Sequence, residues 1–198
     1  MISYEDIDLN LMRLNDLELE LIENNKTFVS KIKYNGQNFD MKTSLLKLVD
    51  IKKENDICMI EVEFLSKFSD FYELIYDIDD FVLNQILSKS NKWFGAEKMN
   101  PETIENLFKR TLQLPNKLSR NPTMKLIVDK KIDVKDGIKN SEIRLILNLD
   151  KIIFYPNMYL LNYNVIELEI VDDSCEKLFS DDSRQSYTSD SESIYSTE

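Results

Sequence analysis

The side chains of this chain that could carry out chemistry are lysines, arginines, tyrosines and carboxylates, because the sequence contains no histidine. Ser-His and Cys-His nucleophiles need an imidazole to carry the proton, and most zinc sites use histidine or clustered cysteine. The two cysteines, Cys58 and Cys175, are far apart in the sequence. We therefore expect no cofactor, no bound metal and no disulfide framework, and we expect an intracellular, reducing compartment.

Three acids stand close together in the stretch IYDIDD, at Asp77, Asp79 and Asp80. A metal-dependent phosphoryl-transfer site could use such acids. On a helix, however, Asp77 and Asp80 share a face and Asp79 does not. The favoured interpretation is a solvated helix face, and we expect the protein not to be an enzyme.

The charge of the chain is unevenly distributed around a total of −11. Residues 1–88 carry 9 basic and 18 acidic side chains, whereas residues 89–151 carry 14 basic and 8 acidic ones. Residues 172–198 carry 2 basic and 8 acidic side chains. A basic segment beside an acidic tail indicates either a face that binds polyanions, for which the tail competes, or lysines that coat solvated surfaces.

The first part of the sequence has the period of β-strands. Residues 26–34 alternate polar and apolar side chains and are followed by Asn35-Gly36, which predicts a strand that enters a tight turn. Residues 43–51 and 57–64 flank a polar loop and predict a second hairpin.

Two helices are predicted in the middle of the chain. Apolar residues recur at spacings of three and four over residues 68–89, and Ser69 is a suitable N-cap. In the second helix Asn100 is the predicted N-cap, Pro101 the first helical residue, and Leu114-Pro115 the end.

The strand period returns at residues 123–129, 141–150, 151–156 and 158–171. We therefore expect a mainly β, α+β domain over residues 1–171, as an OB-like antiparallel barrel or sandwich with a helical insertion at about 68–113. From residue 172 onward apolar side chains are sparse, so residues 172–198 are predicted to be a disordered, acidic, serine-rich tail.

A resemblance to a known family rests on four stretches of the sequence. FYELIYDIDDFVLNQI, NKWFG, NPETIENLFKRTL and NPTMKLIV, in this order between residues 71 and 128, resemble the central pattern of replication-type single-stranded DNA-binding proteins of large DNA viruses and some phages. The resemblance implies an OB-type barrel that holds single strands in a basic groove lined by stacking aromatic rings. It also implies an acidic C-terminal tail that restrains binding and recruits replication proteins.

Sequence-tolerant binding of single strands uses aromatic faces for the bases and Lys or Arg for the backbone. The candidate rings are Tyr34, Phe39, Phe154, Tyr155, Tyr159 and Tyr163. The site residues that we predict to contact DNA are Lys31, Lys33, Tyr34, Trp93, Lys117, Arg120, Lys125, Lys130, Lys131 and Tyr155.

Trp93, the one tryptophan, is predicted in the link between the two helices. The favoured interpretation is structural: the indole plugs the helix pair onto the core and its N–H bonds to a carbonyl. Base stacking is the second interpretation.

Two functional hypotheses follow for the chain as a whole. The first is a single-stranded DNA-binding protein of viral DNA replication, recombination or repair, with replication proteins and a homodimer as expected partners. The second is a viral structural or scaffold interaction module without nucleic-acid binding, which engages a basic protein through its acidic surface. No stretch approaches the roughly 20 apolar residues that cross a bilayer, so no membrane partner is expected.

Overall fold

The computed structural model describes residues 1–22, 25–54, 57–66, 69–95 and 100–171, with the side chain of Asp136 excepted. The predicted tail at residues 172–198 lies outside these ranges, and so does Cys175. Nothing in the structure therefore bears on the predictions made for the tail.

The described ranges form one mixed β-sheet and two α-helices, which confirms the prediction of a mainly β, α+β chain. The helices are α1 (Asp70–Phe94) and α2 (Pro101–Leu107). Short 3-10 turns lie at Tyr4–Asp6, Leu9–Leu11 and Asp136–Ile138. The strands are β1 (Ile2–Ser3), β2 (Met12–Leu14), β3 (Glu18–Ile22), β4 (Asn25–Tyr34), β5 (Phe39–Lys42), β6 (Leu46–Glu54), β7 (Ile57–Phe64), β8 (Phe108–Lys109), β9 (Leu112–Gln113), β10 (Thr123–Val128), β11 (Glu142–Tyr155) and β12 (Met158–Ile170).

Five of the strands pair in a cycle. β6 pairs with β7 and β7 with β10, both antiparallel, and β10 pairs with β12 in parallel. β12 pairs antiparallel with β11, and β11 pairs antiparallel with β6. β4 and β5 also pair with β11, and β4 carries β2 and β3.

The strand predictions made from periodicity are largely confirmed. β4 enters a turn in which Asn35 and Gly36 have φ of 48° and 77°, the left-handed conformations that a tight hairpin turn requires. β6 and β7 form the predicted second hairpin. Residues 142–155, which were predicted as two strands, are the single strand β11, with irregular pairing near Lys151.

Helix α1 follows its predicted pattern at its start. The Ser69 hydroxyl accepts a hydrogen bond from the backbone N–H of Tyr72 at 3.2 Å, which satisfies one of the free amides of the first turn. The buried residues of the helix include Phe71, Ile75, Ile78, Val82 and Ile86. Phe71 stacks against Phe64 of β7 at a centroid distance of 5.7 Å. The buried face of α1 therefore packs against the sheet.

The helix ends differ from the prediction. α1 continues past Lys89 to Phe94, because its last turn packs against rings of β11 and β12. α2 ends at Leu107, and the residues predicted as its last two turns become β8 and β9. Strand pairing with β12 and β10 outweighs the local helical pattern there.

The core lies between the sheet and α1. It includes the inward-facing residues of β7 and β10, such as Ile60, Val62, Met124 and Leu126, each no more than 1% exposed. Neither α-helix in the described part of the chain combines the length and apolar character needed to cross a membrane.

Candidate nucleic-acid interface

The outward face of β10 is basic and apolar. Along this strand Met124, Leu126 and Val128 point into the core, while Lys125 and Ile127 are exposed, as the period of two in a strand requires. The neighbouring strands add side chains to the same face, since paired residues point to the same side of a sheet.

Strand register extends this face across the sheet. Lys125 pairs with Glu61 of β7, which pairs with Asp50 of β6. Ile127 pairs with Met59 on one side and with Asn164 of β12 on the other. Asn164 in turn pairs with Asn148 of β11. One outward surface therefore crosses β6, β7, β10, β12 and β11.

Two adjoining depressions lie on this surface, and together we call them the outer groove. The larger has a volume of about 480 Å³ and the smaller about 70 Å³. The larger is lined by Ile57, Ile127, Val128, Asp129, Lys130, Lys131, Asn148, Asn164 and Ile166. The smaller is lined by Asp50, Lys52, Met59, Ile60, Glu61 and Lys125.

Three lysines of the outer groove form no ion pair with a described residue. Lys125, Lys130 and Lys131 are exposed, and none of them forms an ion pair with another residue of the described ranges. The acids that line the groove are already engaged. Asp50 pairs with Lys139 at 2.8 Å, and that hydrogen bond holds the pKa of its carboxyl below its usual range. Asp129 accepts a hydrogen bond from the backbone of Lys131 at 2.9 Å.

Two buried glutamates hold the basic loop 114–122 against β7. One oxygen of Glu63 accepts backbone N–H groups from Arg120 and Asn121, each at 2.7 Å. One oxygen of Glu61 accepts the side-chain N–H of Asn116 at 2.7 Å and the hydroxyl of Thr123 at 2.9 Å. The loop that carries Lys117 and Arg120 is thereby fixed at one end of the outer groove.

Three other predicted residues, all on β4, line neither depression of this groove. Lys31 pairs with Glu18 at 2.9 Å and with Glu20 at 3.8 Å, and its hydrogen bond to Glu18 raises its pKa. The Lys33 ammonium donates a hydrogen bond to Asn38 at 2.7 Å. Tyr34 stacks on Phe39, and its hydroxyl accepts the backbone N–H of Asp8. These side chains of β4 are engaged in the fold.

Trp93 lies in the last turn of α1, and not in a link between helices. Its ring meets Phe154 edge to face at 5.7 Å, and the Lys89 ammonium lies 5.3 Å from its centroid. The indole nitrogen is buried and makes no hydrogen bond to a described residue, which differs from the carbonyl bond predicted for it. The pKa of the Asp16 carboxyl is lowered mainly by its hydrogen bond and ion pair with Lys92, and the nearby indole N–H adds a smaller effect although it makes no hydrogen bond to this carboxyl. The contacts agree with the structural interpretation.

Most of the rings proposed for base stacking are inaccessible. Phe39, Phe154, Tyr159 and Tyr163 are between 0% and 7% exposed. These four rings belong to the hydrophobic core, so the prediction that they stack on bases is wrong. Tyr155, at the end of β11, is half-buried. The groove offers the aliphatic side chains of Ile127 and Ile166, each 40% exposed, in their place.

Asp79 contradicts the prediction of a solvated acidic face. It is 0% exposed, whereas Asp77 is exposed and Asp80 is half-buried. Its carboxylate accepts the backbone N–H and the hydroxyl of Thr111, each at 2.7 Å. Burial raises the pKa of Asp79 to about 6, against the opposing effects of Thr111 and Arg110. Within the described ranges, no group of three acid or cysteine side chains could hold a metal ion.

Several groove residues were missed by reasoning from the sequence. Lys52 belongs to the acidic segment 1–88, so the charge distribution did not single it out. Its signal was its place in the β6–β7 hairpin, where it pairs with Met59. Asn148 and Asn164 gave no local signal, because only the pairing of β11 with β12 makes them neighbours.

The packing of Trp93 leads to a prediction. Trp93→Leu is expected to lower the free energy of unfolding by about 2 kcal/mol, because the smaller side chain leaves part of its site unfilled. The affinity for a single-stranded oligonucleotide is expected to change by less than about twofold, whereas the loss of a stacked base would cost roughly 1 to 3 kcal/mol. Urea denaturation and fluorescence anisotropy measure the two quantities. An unchanged stability with a large loss of affinity would support base stacking.

Comparison of the sequence with family models and with curated proteins gives no match.

Proposed function

We propose that this chain binds single-stranded DNA along the outer groove. The observation that carries the proposal is the set of three lysines, Lys125, Lys130 and Lys131, that border the groove without an ion pair to any described residue. Phosphates of a strand would satisfy these charges, and backbone contacts supply sequence-independent affinity.

Strand pairing supports this location. We propose an OB-type barrel formed by the cycle β6, β7, β10, β12 and β11, in which one pair, β10 with β12, is parallel. Oligonucleotides bind such barrels across the second and third strands. Counted along the chain within the cycle, these are β7 and β10, whose outward side chains line the groove.

The burial of the tyrosines and phenylalanines changes the expected binding mode. Bases would contact Ile57, Met59, Ile127 and Ile166, which are aliphatic and offer less stacking energy than rings. Phosphate contacts would then supply most of the affinity, so binding should weaken steeply as salt is raised.

We propose that the chain belongs to the replication-type single-stranded DNA-binding proteins of DNA viruses. Its proposed role is intracellular, in replication, recombination or repair. Residues 172–198 are proposed to recruit replication proteins.

The test is the triple variant Lys125→Gln, Lys130→Gln, Lys131→Gln. Its affinity for single-stranded DNA is expected to fall on the order of 30-fold at low salt, because three phosphate contacts are lost. The slope of log K against log salt should become shallower by about 2. Fluorescence anisotropy with a labelled oligonucleotide, at several salt concentrations, measures both.

A matched control removes the same charge from lysines that do not line the groove. The triple variant Lys26→Gln, Lys31→Gln, Lys33→Gln changes three lysines of β4, and it includes two residues that the sequence had singled out. It is expected to retain the affinity and the salt slope of the wild type. Equal losses in the two triple variants would show that net charge alone matters, and they would overturn the groove as the site.

An exposed edge favours a second candidate function, a protein-interaction module. β3 pairs only with β4 among the described strands, and its Leu19 and Leu21 are 60% and 70% exposed beside Phe28 at 49%. Such an edge can accept a strand from another chain, and we propose it as the seat of a homodimer or scaffold contact. Failure of the wild type to bind DNA, together with nuclease-insensitive co-purification of a stoichiometric protein partner, would favour this function.

A further inference from the structure

A third cavity, intermediate in volume between the two depressions of the outer groove, opens where β10 and β12 separate. The two strands pair only at Ile127–Asn164 and Val128–Val165. The first residues of β10 pair with β9 instead, and the first residues of β12 pair with β8. The connection between β8 and β9 spans the gap, and its residues Arg110 and Thr111 line an open cavity of about 190 Å³.

The polar lining of this cavity includes three basic side chains, of which Arg110 is paired with Asp80. Its polar residues are Lys109, Arg110, Thr111, Gln113, Lys125 and Tyr163. No carboxylate belongs to the described lining, and Lys109 and Lys125 form no ion pair with a described residue. A site with this charge attracts an anion.

Arg110 is held in a fixed position at this site. Its guanidinium forms an ion pair with Asp80. It also lies 5.2 Å from the ring centroid of Tyr76 and 5.8 Å from that of Phe108. A guanidinium held in this way loses little conformational freedom when it binds an oxyanion.

Tyr163 supplies an unused donor. Its side chain is 3% exposed, and its hydroxyl makes no hydrogen bond to a described residue. Burial, with the nearby charge of Asp79, raises its pKa well above the usual value, so the hydroxyl stays protonated. Thr111, whose two donors both go to Asp79, lies close enough to the Tyr163 hydroxyl to oppose part of this rise in pKa. Buried polar atoms without partners are rare in folded proteins.

We propose that this cavity binds a phosphate group, as inorganic phosphate or as a phosphate monoester. Lys109, Arg110 and Lys125 would balance its charge, and the Tyr163 hydroxyl would donate to one of its oxygens. A cavity of about 190 Å³ has room for a tetrahedral oxyanion, since a water molecule takes about 30 Å³. The site goes beyond the proposed DNA groove, with which it shares only Lys125.

The first experiment uses inorganic phosphate and the full chain. Phosphate is expected to raise the thermal midpoint more than chloride does at equal ionic strength, because it binds the folded state. Tyr163→Phe should weaken phosphate binding about 10-fold, which is the value of one hydrogen bond to a charged group. The midpoint of the phosphate-free variant should be equal to or above that of the wild type, since an unpaired buried hydroxyl is removed. Lys109→Gln should weaken binding to a similar extent.

Lys26→Gln is the control for this site, because Lys26 lies on β4 and lines neither this cavity nor the outer groove. It is expected to leave phosphate binding unchanged. The proposal is overturned if phosphate gives no more stabilisation than chloride, or if Tyr163→Phe and Lys109→Gln bind phosphate as the wild type does.

A second arm identifies the source of the phosphate. If the ligand is the end of a DNA strand, a 5′-phosphorylated oligonucleotide should bind about 10-fold more tightly than the unphosphorylated one, and Tyr163→Phe should remove the difference. If the ligand is a small molecule, inorganic phosphate binds and the two oligonucleotides bind equally. Either result supports the site, and neither depends on the outcome of the groove experiment with unphosphorylated DNA.

Discussion

Replacement of Asp79 by asparagine is expected to stabilise the protein at pH 8 and to leave its stability nearly unchanged at pH 4. The carboxyl is 0% exposed, and its pKa is raised from 3.8 to about 6, mainly by burial. Asparagine has the same shape, and its amide can still accept from the backbone N–H of Thr111 and donate to the Thr111 hydroxyl.

The sign follows from proton linkage. Because the pKa is higher in the folded state than in the unfolded state, the folded protein holds a proton at pH values where the unfolded chain has lost it. The stabilisation from the neutral carboxyl is complete below pH about 4 and is lost as the pH rises through about 6. A rise in pKa from 3.8 to about 6 corresponds to about 3 kcal/mol, which is the gain expected for Asp79→Asn at pH 8.

Urea denaturation of the wild type and of Asp79→Asn at pH 4, 6 and 8 would measure the difference between their free energies of unfolding. The contributions of all other titrating groups are the same in the two proteins and cancel in this difference. Asp77→Asn is the matched control, because Asp77 is exposed on the same helix. It should change the free energy of unfolding little at any of these pH values. Two outcomes would contradict the view that burial disfavours the ionised carboxylate of Asp79. One is a lower stability of Asp79→Asn than of the wild type at pH 8, and the other is a difference in stability that does not increase from pH 4 to pH 8.

The second large effect is expected at Glu63. Glu63→Ala should lower the free energy of unfolding by about 4 kcal/mol, because two hydrogen bonds from backbone amides to a charged group are lost and both amides remain without a partner. The amides belong to Arg120 and Asn121, so the loop that carries Lys117 and Arg120 should also loosen. Denaturation and hydrogen exchange of these two amides measure the two consequences.

Glu63→Gln separates the hydrogen bonds from the charge. Both amides bond to the same oxygen of Glu63, and a glutamine oxygen can accept both. This variant should lose about 1 kcal/mol or less and should keep the amides protected. If Glu63→Gln were as costly as Glu63→Ala, the charge itself, and not the pair of hydrogen bonds, would stabilise the loop.

Local patterns predicted the elements whose cause is local. The N-cap at Ser69, the N-cap and first residue of α2 at Asn100 and Pro101, and the turn at Asn35 and Gly36 all depend on neighbours within four residues. Where a distant segment competes, the same reasoning was wrong. Phe108 fits the helical pattern of α2, yet it pairs with Tyr159 of β12. Strand pairing there gives the backbone N–H and C=O groups hydrogen-bond partners, as a further turn of helix would.

The sequence by itself determined that the chain is mainly β with two helices, that histidine chemistry is excluded, and that positive charge is concentrated in residues 89–151. Only the tertiary structure decided which charges share a surface. Lys125 lines the outer groove because its strand pairs with β7, more than 50 residues earlier in the chain. Lys31, in contrast, forms ion pairs with two glutamates of β3. The physical reason is that strand register, which fixes the face and the neighbours of each side chain, is set by contacts between segments that are remote in sequence.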